Sequence, residues 1–125
     1  MTELLYVGFG GFLGAVARYS VSTWVHRAYG GELPLGTLAV NVAGCLAIGV
    51  AMALVDRGSF APDAHLFFST GLLGALTTFS TFGFETFDLI RRSLYLHAAA
   101  SVAANLLLGV GAVVLGIAVS KNLFP

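Results

Sequence analysis

Hydrophobic residues along this chain form four long runs that are separated by short polar segments. The runs extend from about Leu4 to Trp24, from Pro34 to Val55, from Leu66 to Leu89 and from Leu96 to Val119. Each run contains about 20 residues, the length that a helix needs to cross the hydrocarbon core of a bilayer. The pattern predicts an all-α membrane protein with four transmembrane helices, built as one domain over residues 1–125.

The third run differs from the others in its polar content. Four of the six residues from Thr77 to Phe82 carry hydroxyls, and the other two are phenylalanines. Each hydroxyl in hydrocarbon must find a hydrogen-bond partner, so a helix that only anchors a protein does not need them. β-Branched and hydroxyl residues crowd together at Thr77–Ser80, which predicts a helix that is broken in mid-membrane. The cluster indicates a place where something polar crosses.

The composition places the chain in a lipid bilayer and excludes other environments. Apolar residues make up 58% of the chain, charged residues make up 10%, and the mean hydropathy is +0.91, well above the range of soluble domains. The net charge is zero and no basic run is present, which excludes nucleic acid as a partner. Cys45 is the only cysteine, so an intrachain disulfide is impossible.

The basic residues give the chain almost no preferred orientation in the membrane. With four spans, both termini and the loop between the second and third spans lie on one side, which carries Arg57 and Lys121. The other side carries Arg27, Arg91 and Arg92. This difference is a weak positive-inside bias, so the chain can insert both ways. Two oppositely inserted copies could then pair as an antiparallel homodimer.

Small residues recur at a spacing of four, which lets helix backbones approach closely in lipid. The stripes comprise Gly10 with Gly14, Gly11 with Ala15, and Ala43 with Ala47 and Ala51. They could join subunits or pack helices within one subunit, and the sequence leaves both alternatives open. Four helices leave little room for a water-filled route through a monomer, which favours an oligomer.

Polar residues inside the spans are the candidates for a functional site. The Asn41 amide could donate to an anion or clasp two helices together. Ser101 and Asn105 are four residues apart and share one face of the last helix. Arg18 could draw anions towards a vestibule or extend its charge to the interface. Glu85 is the one acid well inside a span, where it could line a vestibule or pair with an arginine.

Phe79 and Phe82 are three residues apart and therefore lie on one face of a helix. An aromatic pair at this spacing often only packs. Ring edges carry partial positive charge, however, so phenylalanines that present their edges can attract an anion. Between the hydroxyls of Ser80 and Thr81, the two rings could line a narrow anion path without binding the ion too tightly to leave.

Three motifs of this chain resemble the Fluc (CrcB) family of fluoride channels. They are the segments from Gly11 to Tyr19, from Gly36 to Asn41 and from Gly71 to Phe82, which occur in order at the family's spacing. The match as a whole covers essentially the whole chain. The resemblance implies a dual-topology antiparallel homodimer with two fluoride pores. It also implies passive efflux of toxic fluoride through a multi-pass protein of the cell (inner) membrane.

The resemblance also implies roles for individual residues. Phe79 and Phe82 match the pore-lining phenylalanines of the family, and Asn41 matches its pore asparagine. The further positions of the implied fluoride pathway are Thr37, Ser80, Thr81 and Glu85, to which Arg18 and Asn105 are added as candidates from their own chemistry.

A structural sodium ion is the cofactor that the resemblance implies. The backbone carbonyls of Gly74 and Thr77 match the positions that hold this ion at the centre of the dimer. A broken helix frees carbonyl oxygens that lipid cannot satisfy, and a hard cation accepts such ligands. The chain departs from the family on the last helix, where Asn105 is followed by Gly109 and Val113 instead of a ladder of hydroxyls.

Three other classes of protein fit this sequence less well. A proton-coupled small multidrug exporter has the same size, but it needs a carboxylate inside the first span, where this chain has Arg18. An enzyme is disfavoured because the three histidines lie near span ends and no nucleophile–base pair or metal-ligand spacing is visible. A purely structural membrane subunit would not explain the hydroxyls of the third span.

Overall fold

The computed structural model describes residues 1–123, so the last two residues of the predicted domain lie outside the described part. The helices are α1 (Thr2–Tyr29), α2 (Leu35–Asp56), α3 (Pro62–His65), a π-helical segment (Leu66–Leu73), α4 (Gly74–Leu76), α5 (Phe79–Arg91) and α6 (Tyr95–Leu123). The described residues contain no strand. The prediction of an all-α protein is therefore confirmed.

Four parts of the chain are long and apolar enough to cross a membrane. They are α1, α2, α6 and the helical run Pro62–Arg91, which joins α3 to α5. Large side chains such as Phe12, Trp24 and Leu107 lie exposed on the outside, whereas the buried positions hold mainly small residues. This distribution suits a solvent of lipid, in which close backbone contact and not apolar burial joins the helices. The chain is a multi-pass membrane protein.

Three of the four membrane-spanning helical parts extend beyond the apolar runs that predict them, whereas α2 has the length of its run and is displaced by one residue. The first begins at Thr2 and ends at Gly30, whose positive φ of 53° closes the helix through a bond from its N–H to the carbonyl of His26. Pro34 is the residue that precedes α2 and does not lie in its first turn. A helix can be longer than its apolar run because it ends at a capping residue, whereas hydropathy marks only the part inside hydrocarbon.

The tightest helix pair is α2 with α6, which pack more extensively than any other pair in the described structure. A Cβ at Gly49 would overlap the carbonyl oxygen of Val113, and a Cβ at Gly116 would overlap that of Leu46. Each helix therefore contributes one glycine at which the backbone of the other helix makes direct contact.

The glycines of α1 pack against the π-helical segment of the same subunit. A Cβ at Gly10 would overlap the carbonyl oxygen of Phe67, and one at Gly14 would overlap that of Leu72. A Cβ at Gly11 would meet nothing within 4 Å. For Gly10 and Gly14, the structure thus gives the within-subunit alternative, while the Cβ direction of Gly11 is open.

The third helical run changes backbone geometry along its length. After α3, the segment Leu66–Leu73 is π-helical, which the sequence did not predict. After α4, Thr77 has φ −80° and ψ 158°, and Thr78 has φ −151° and ψ 116°, both extended. These two residues fall within the segment Thr77–Ser80, where the sequence predicts an interruption. The depth of this segment in a bilayer stays a prediction.

Candidate functional site

Asn41 on α2 holds the extended segment between α4 and α5. The backbone N–H of Thr78 donates to Asn41 Oδ1 at 2.8 Å, and Asn41 Nδ2 donates to the carbonyl oxygen of Thr78 at 3.2 Å. The side-chain amide thus pairs with this backbone much as a neighbouring strand would. It satisfies polar backbone groups that lipid cannot satisfy.

The same amide joins α2 to α6. Asn41 Nδ2 also donates to Asn105 Oδ1 at 2.9 Å, and Asn105 Nδ2 donates to the carbonyl oxygen of Ser101 at 3.0 Å. Both hydrogens of the Asn41 amide are therefore engaged. The geometry is that of the interhelical clasp, and an anion would have to exchange with one of these bonds to reach the amide.

Thr78 caps the first turn of α5. Its Oγ1 accepts from the backbone N–H of Thr81 at 3.2 Å, which satisfies an N–H that has no partner within the helix. The same oxygen lies 3.0 Å from Thr81 Oγ1 and 3.3 Å from Ser80 Oγ. The three hydroxyls form one cluster at the start of α5, in which Thr78 is buried while Ser80 and Thr81 are exposed.

The break deprives two carbonyls of their helical partners. In an uninterrupted helix, the Gly74 carbonyl would accept from the N–H of Thr78, and the Thr77 carbonyl from the N–H of Thr81. Those two amides instead donate to Asn41 and to the Thr78 hydroxyl. Gly74 lies exposed and Thr77 half-buried, so their oxygens are suited to an external donor or a cation.

A cavity of about 340 Å³ lies where α2, α6 and the third helical run meet. No charged side chain belongs to its wall within the described part of the chain. The rings of Phe79 and Phe82 stand at its rim with centroids 5.6 Å apart and planes tilted by 55°, and Phe79 is 81% exposed. The lining residues are Asn41, Gly44, Cys45, Ile48, Ser69, Leu73, Gly74, Thr77, Thr78, Phe79, Phe82, Asn105 and Leu106.

A second cavity, of about 200 Å³, lies between the α1–α2 turn and α5, and we call it the vestibule. Thr37 Oγ1 donates to Glu85 Oε1 at 2.9 Å, while Glu85 Oε2 is buried and has no partner among residues 1–123. The vestibule is lined by His26, Gly31, Glu32, Leu33, Pro34, Phe84, Glu85, Asp88, Leu89 and Arg92. Glu85 lines this cavity and forms no ion pair with an arginine among residues 1–123, and its role on an ion path stays a prediction.

Comparison with known proteins identifies the family. The model of the family described as "CrcB-like protein, Camphor Resistance (CrcB)" matches residues 5–117, which is most of the chain. The chain belongs to the CrcB family. The resemblance seen in its motifs is thereby confirmed.

Similar CrcB relatives span nearly the same length as this chain. "Fluoride-specific ion channel FluC 1" of Methanosarcina acetivorans is 40% identical over 124 residues, which cover 98% of this chain and 94% of the relative. "Fluoride-specific ion channel FluC" of Shewanella loihica is 42% identical over 116 residues, or 93% and 94%. The protein of the same name in Acidobacterium capsulatum is 40% identical over 122 residues, or 97% and 98%.

The CrcB fold brings most of the predicted site residues together in two places. The cavity beside Asn41 collects Phe79, Phe82 and Asn105 with the two predicted carbonyl donors. Glu85 lines the vestibule and accepts a hydrogen bond from Thr37. Ser80 and Thr81 lie at the start of α5 and line neither cavity. Arg18 is half-buried on α1 and, within residues 1–123, makes no hydrogen bond or ion pair and lines neither cavity.

Three polar residues that line the cavity beside Asn41 were not predicted from the sequence. Thr78 was counted among the hydroxyls but not as a member of the site, although a threonine three residues before Thr81 has the spacing of a helix cap. Ser69 and Cys45 lie at positions whose inward direction depends on the packing of α2 and on the π-helical geometry. No signal in the sequence alone marks them.

Proposed function

We propose that this chain is a fluoride-selective ion channel that lets toxic fluoride leave the cell passively. The observation that carries the proposal is its near full-length similarity, at 40 to 42% identity, to proteins named fluoride-specific ion channels. The family is one of ion channels and not of enzymes, which removes the catalytic alternative. Fluoride is accordingly the expected ligand, and the inner membrane the expected location.

The ion path runs through the vestibule and then along the rim of the cavity beside Asn41. Thr37 and Glu85 guide the ion in the vestibule, and the hydroxyls of Ser80 and Thr81 donate to it at the start of α5. The edges of Phe79 and Phe82 then attract the anion without the strong binding that a lysine or arginine would give. Asn41 donates to the ion by giving up one of its hydrogen bonds, namely the bond from its Nδ2 to Asn105 Oδ1. The cavity wall without charged groups supports this assignment.

A structural sodium ion fits the donor set at the break. The carbonyls of Gly74 and Thr77 have lost the amides that would bond them in a continuous helix, and carbonyl oxygens are ligands that a hard cation prefers. When bound, sodium would supply positive charge beside the anion path. This chain contributes the two oxygens and the clasp at Asn41, which fixes the adjoining backbone at Thr78.

The channel is an antiparallel homodimer with two pores and a third helix broken in mid-membrane. The exposed ring of Phe79 and the exposed Gly74 support a second copy on this face, since Phe79 belongs to the proposed ion path and Gly74 to the proposed sodium site, yet both lie exposed in one subunit. Gly11, where an added Cβ would meet nothing within 4 Å in its own subunit, is available for the same purpose. The near balance of basic residues on the two sides supports opposite insertion.

Fluoride efflux from proteoliposomes loaded with fluoride or with chloride tests the function. Purified protein should release fluoride, measured with an ion-selective electrode, and should retain chloride. A proton-coupled multidrug exporter predicts the opposite pattern, namely acid-driven drug uptake without fluoride release. That alternative is disfavoured because the membrane-spanning part of α1 offers only Arg18 and no buried carboxylate.

A further inference from the structure

The vestibule is closed on one side by an ion-paired arginine. Arg92, just after α5, pairs with Glu32 of the α1–α2 turn, and its second nitrogen lies 3.9 Å from Asp88. All three residues line the vestibule in which Glu85 lies. The pair between Glu32 and Arg92 is the ionic contact that ties the α1–α2 turn to the end of the third helical run in the described structure.

The charges around this cavity are unusual for a route that carries an anion. Three carboxylates, from Glu32, Glu85 and Asp88, line it, and Arg92 is its one arginine or lysine within residues 1–123. His26 is the remaining titratable group in the wall. An anion that approaches Glu85 therefore meets a region with more negative than positive charge, which lowers its local concentration. Arg92 offsets that repulsion, and Glu32 offsets Arg92.

We propose that Arg92 is the residue that captures fluoride at the vestibule and that Glu32 limits this capture by pairing with it. This proposal rests on the proposed function, because it assigns a further residue to the same path. Both side chains are close to half exposed, so water and salt reach the pair. The pair therefore adds little to stability, but its charges still set the potential that an incoming ion meets. The effect must weaken as salt increases.

Arg91 provides a matched control for Arg92. It is the adjacent residue and carries the same charge, and it pairs with Asp88 but does not itself line the vestibule. Replacement of either arginine by glutamine removes one positive charge from the same side of the membrane. Any effect on insertion or on orientation is then common to both variants. They differ in position, because the charge of Arg92 lies in the vestibule wall while that of Arg91 reaches the vestibule only through its pair with Asp88.

The test compares Arg92→Gln, Arg91→Gln, Arg92→Lys and Glu32→Gln in proteoliposomes. Initial fluoride efflux is measured at a fixed low fluoride concentration, with potassium glutamate raising the ionic strength from about 0.01 M to about 1 M, where the screening length falls from about 30 Å to about 3 Å. At low ionic strength we expect Arg92→Gln to conduct at least roughly threefold slower than Arg91→Gln, and Glu32→Gln to conduct faster than the parent. Arg92→Lys should retain most of the parent's rate.

The salt series distinguishes an electrostatic role of Arg92 from a structural one, because the loss of flux caused by a structural defect would not depend on ionic strength. The differences among the variants should shrink at high ionic strength, because screening removes the effect of a surface charge. Equal rates for Arg92→Gln and Arg91→Gln at low salt would overturn the proposal, as would a deficit that persists at high salt. A Glu32→Gln variant slower than the parent would also overturn it. A parent that releases no fluoride would instead refute the proposed function.

Discussion

At the scale of single residues, Asn41 joins more parts of the candidate site than any other side chain described. Its amide bonds the backbone of Thr78 in both directions and also reaches Asn105. An amide can do this because it carries two donors and an acceptor on one rigid plane. The same residue therefore holds the break in place and stands on the proposed ion path.

Replacement Asn41→Asp should abolish fluoride conduction. The carboxylate would face the carbonyl oxygen of Thr78 and Asn105 Oδ1 without hydrogens to donate, and it would repel an anion at close range in a region of low dielectric. Efflux from proteoliposomes at neutral pH is the measurement, with size-exclusion chromatography to verify assembly. Undiminished flux from this variant would mean that Asn41 lies off the path.

Replacement of Phe79 or Phe82 by isoleucine tests the role of the ring edges. Isoleucine keeps the apolar character of the site and lacks a polarised edge, so flux should fall roughly fivefold to tenfold while the assembly stays intact. Phe87→Ile is a suitable control, since Phe87 lies exposed on the same helix and lines neither cavity. If both variants conduct like the parent, the two rings only pack.

At the scale of helices, hydropathy alone predicts the four spans, and the crowded hydroxyls predict an interruption over Thr77–Ser80, the segment that contains the two extended residues. A break in mid-membrane stays a prediction. The π-helical geometry of Leu66–Leu73 and the clasp at Asn41 could not be predicted in the same way. Asn41 and Thr78 are 37 residues apart in sequence. Their contact depends on how α2 meets the third helical run, which no local pattern encodes. A lone asparagine in a span indicates only that some partner exists.

The glycines of α1 give a prediction about helix packing. Gly14→Ala should reduce folded yield or thermal stability by about 1–3 kcal/mol, because the new Cβ would overlap the Leu72 carbonyl. Gly11→Ala should be tolerated within the subunit, where nothing lies within 4 Å. Thermal unfolding in detergent, followed by size-exclusion chromatography, separates the two cases. Equal tolerance of both variants would contradict the packing of α1 described above.

At the scale of the whole molecule, the near balance of basic residues predicts that both orientations are present and that they pair. Two or three lysines added after Pro125 should hold most carboxyl termini in the cytoplasm. Fluoride tolerance of cells that express this variant should then collapse, because an antiparallel dimer loses its partner. Co-expression with a copy biased the other way, by lysines added near Arg91 and Arg92, should restore growth.

Cysteine labelling of each terminus provides the control for this experiment, because it reports the orientation directly. A biased variant that alone protects cells while it shows a single orientation would mean that subunits pair in parallel or act singly. The antiparallel arrangement would then be wrong, although the fluoride path within one subunit would be unaffected.

The central claim is that fluoride crosses this protein passively and in preference to chloride. The most direct measurement is the zero-current potential of the purified protein in a planar bilayer, with opposed gradients of fluoride and chloride and with the pH varied on one side. We expect a zero-current potential at the fluoride equilibrium value. This potential should change with the fluoride gradient and should not change with the chloride gradient or with the pH difference. A potential that follows the chloride gradient, or one that shifts with the pH difference at constant fluoride, would contradict it.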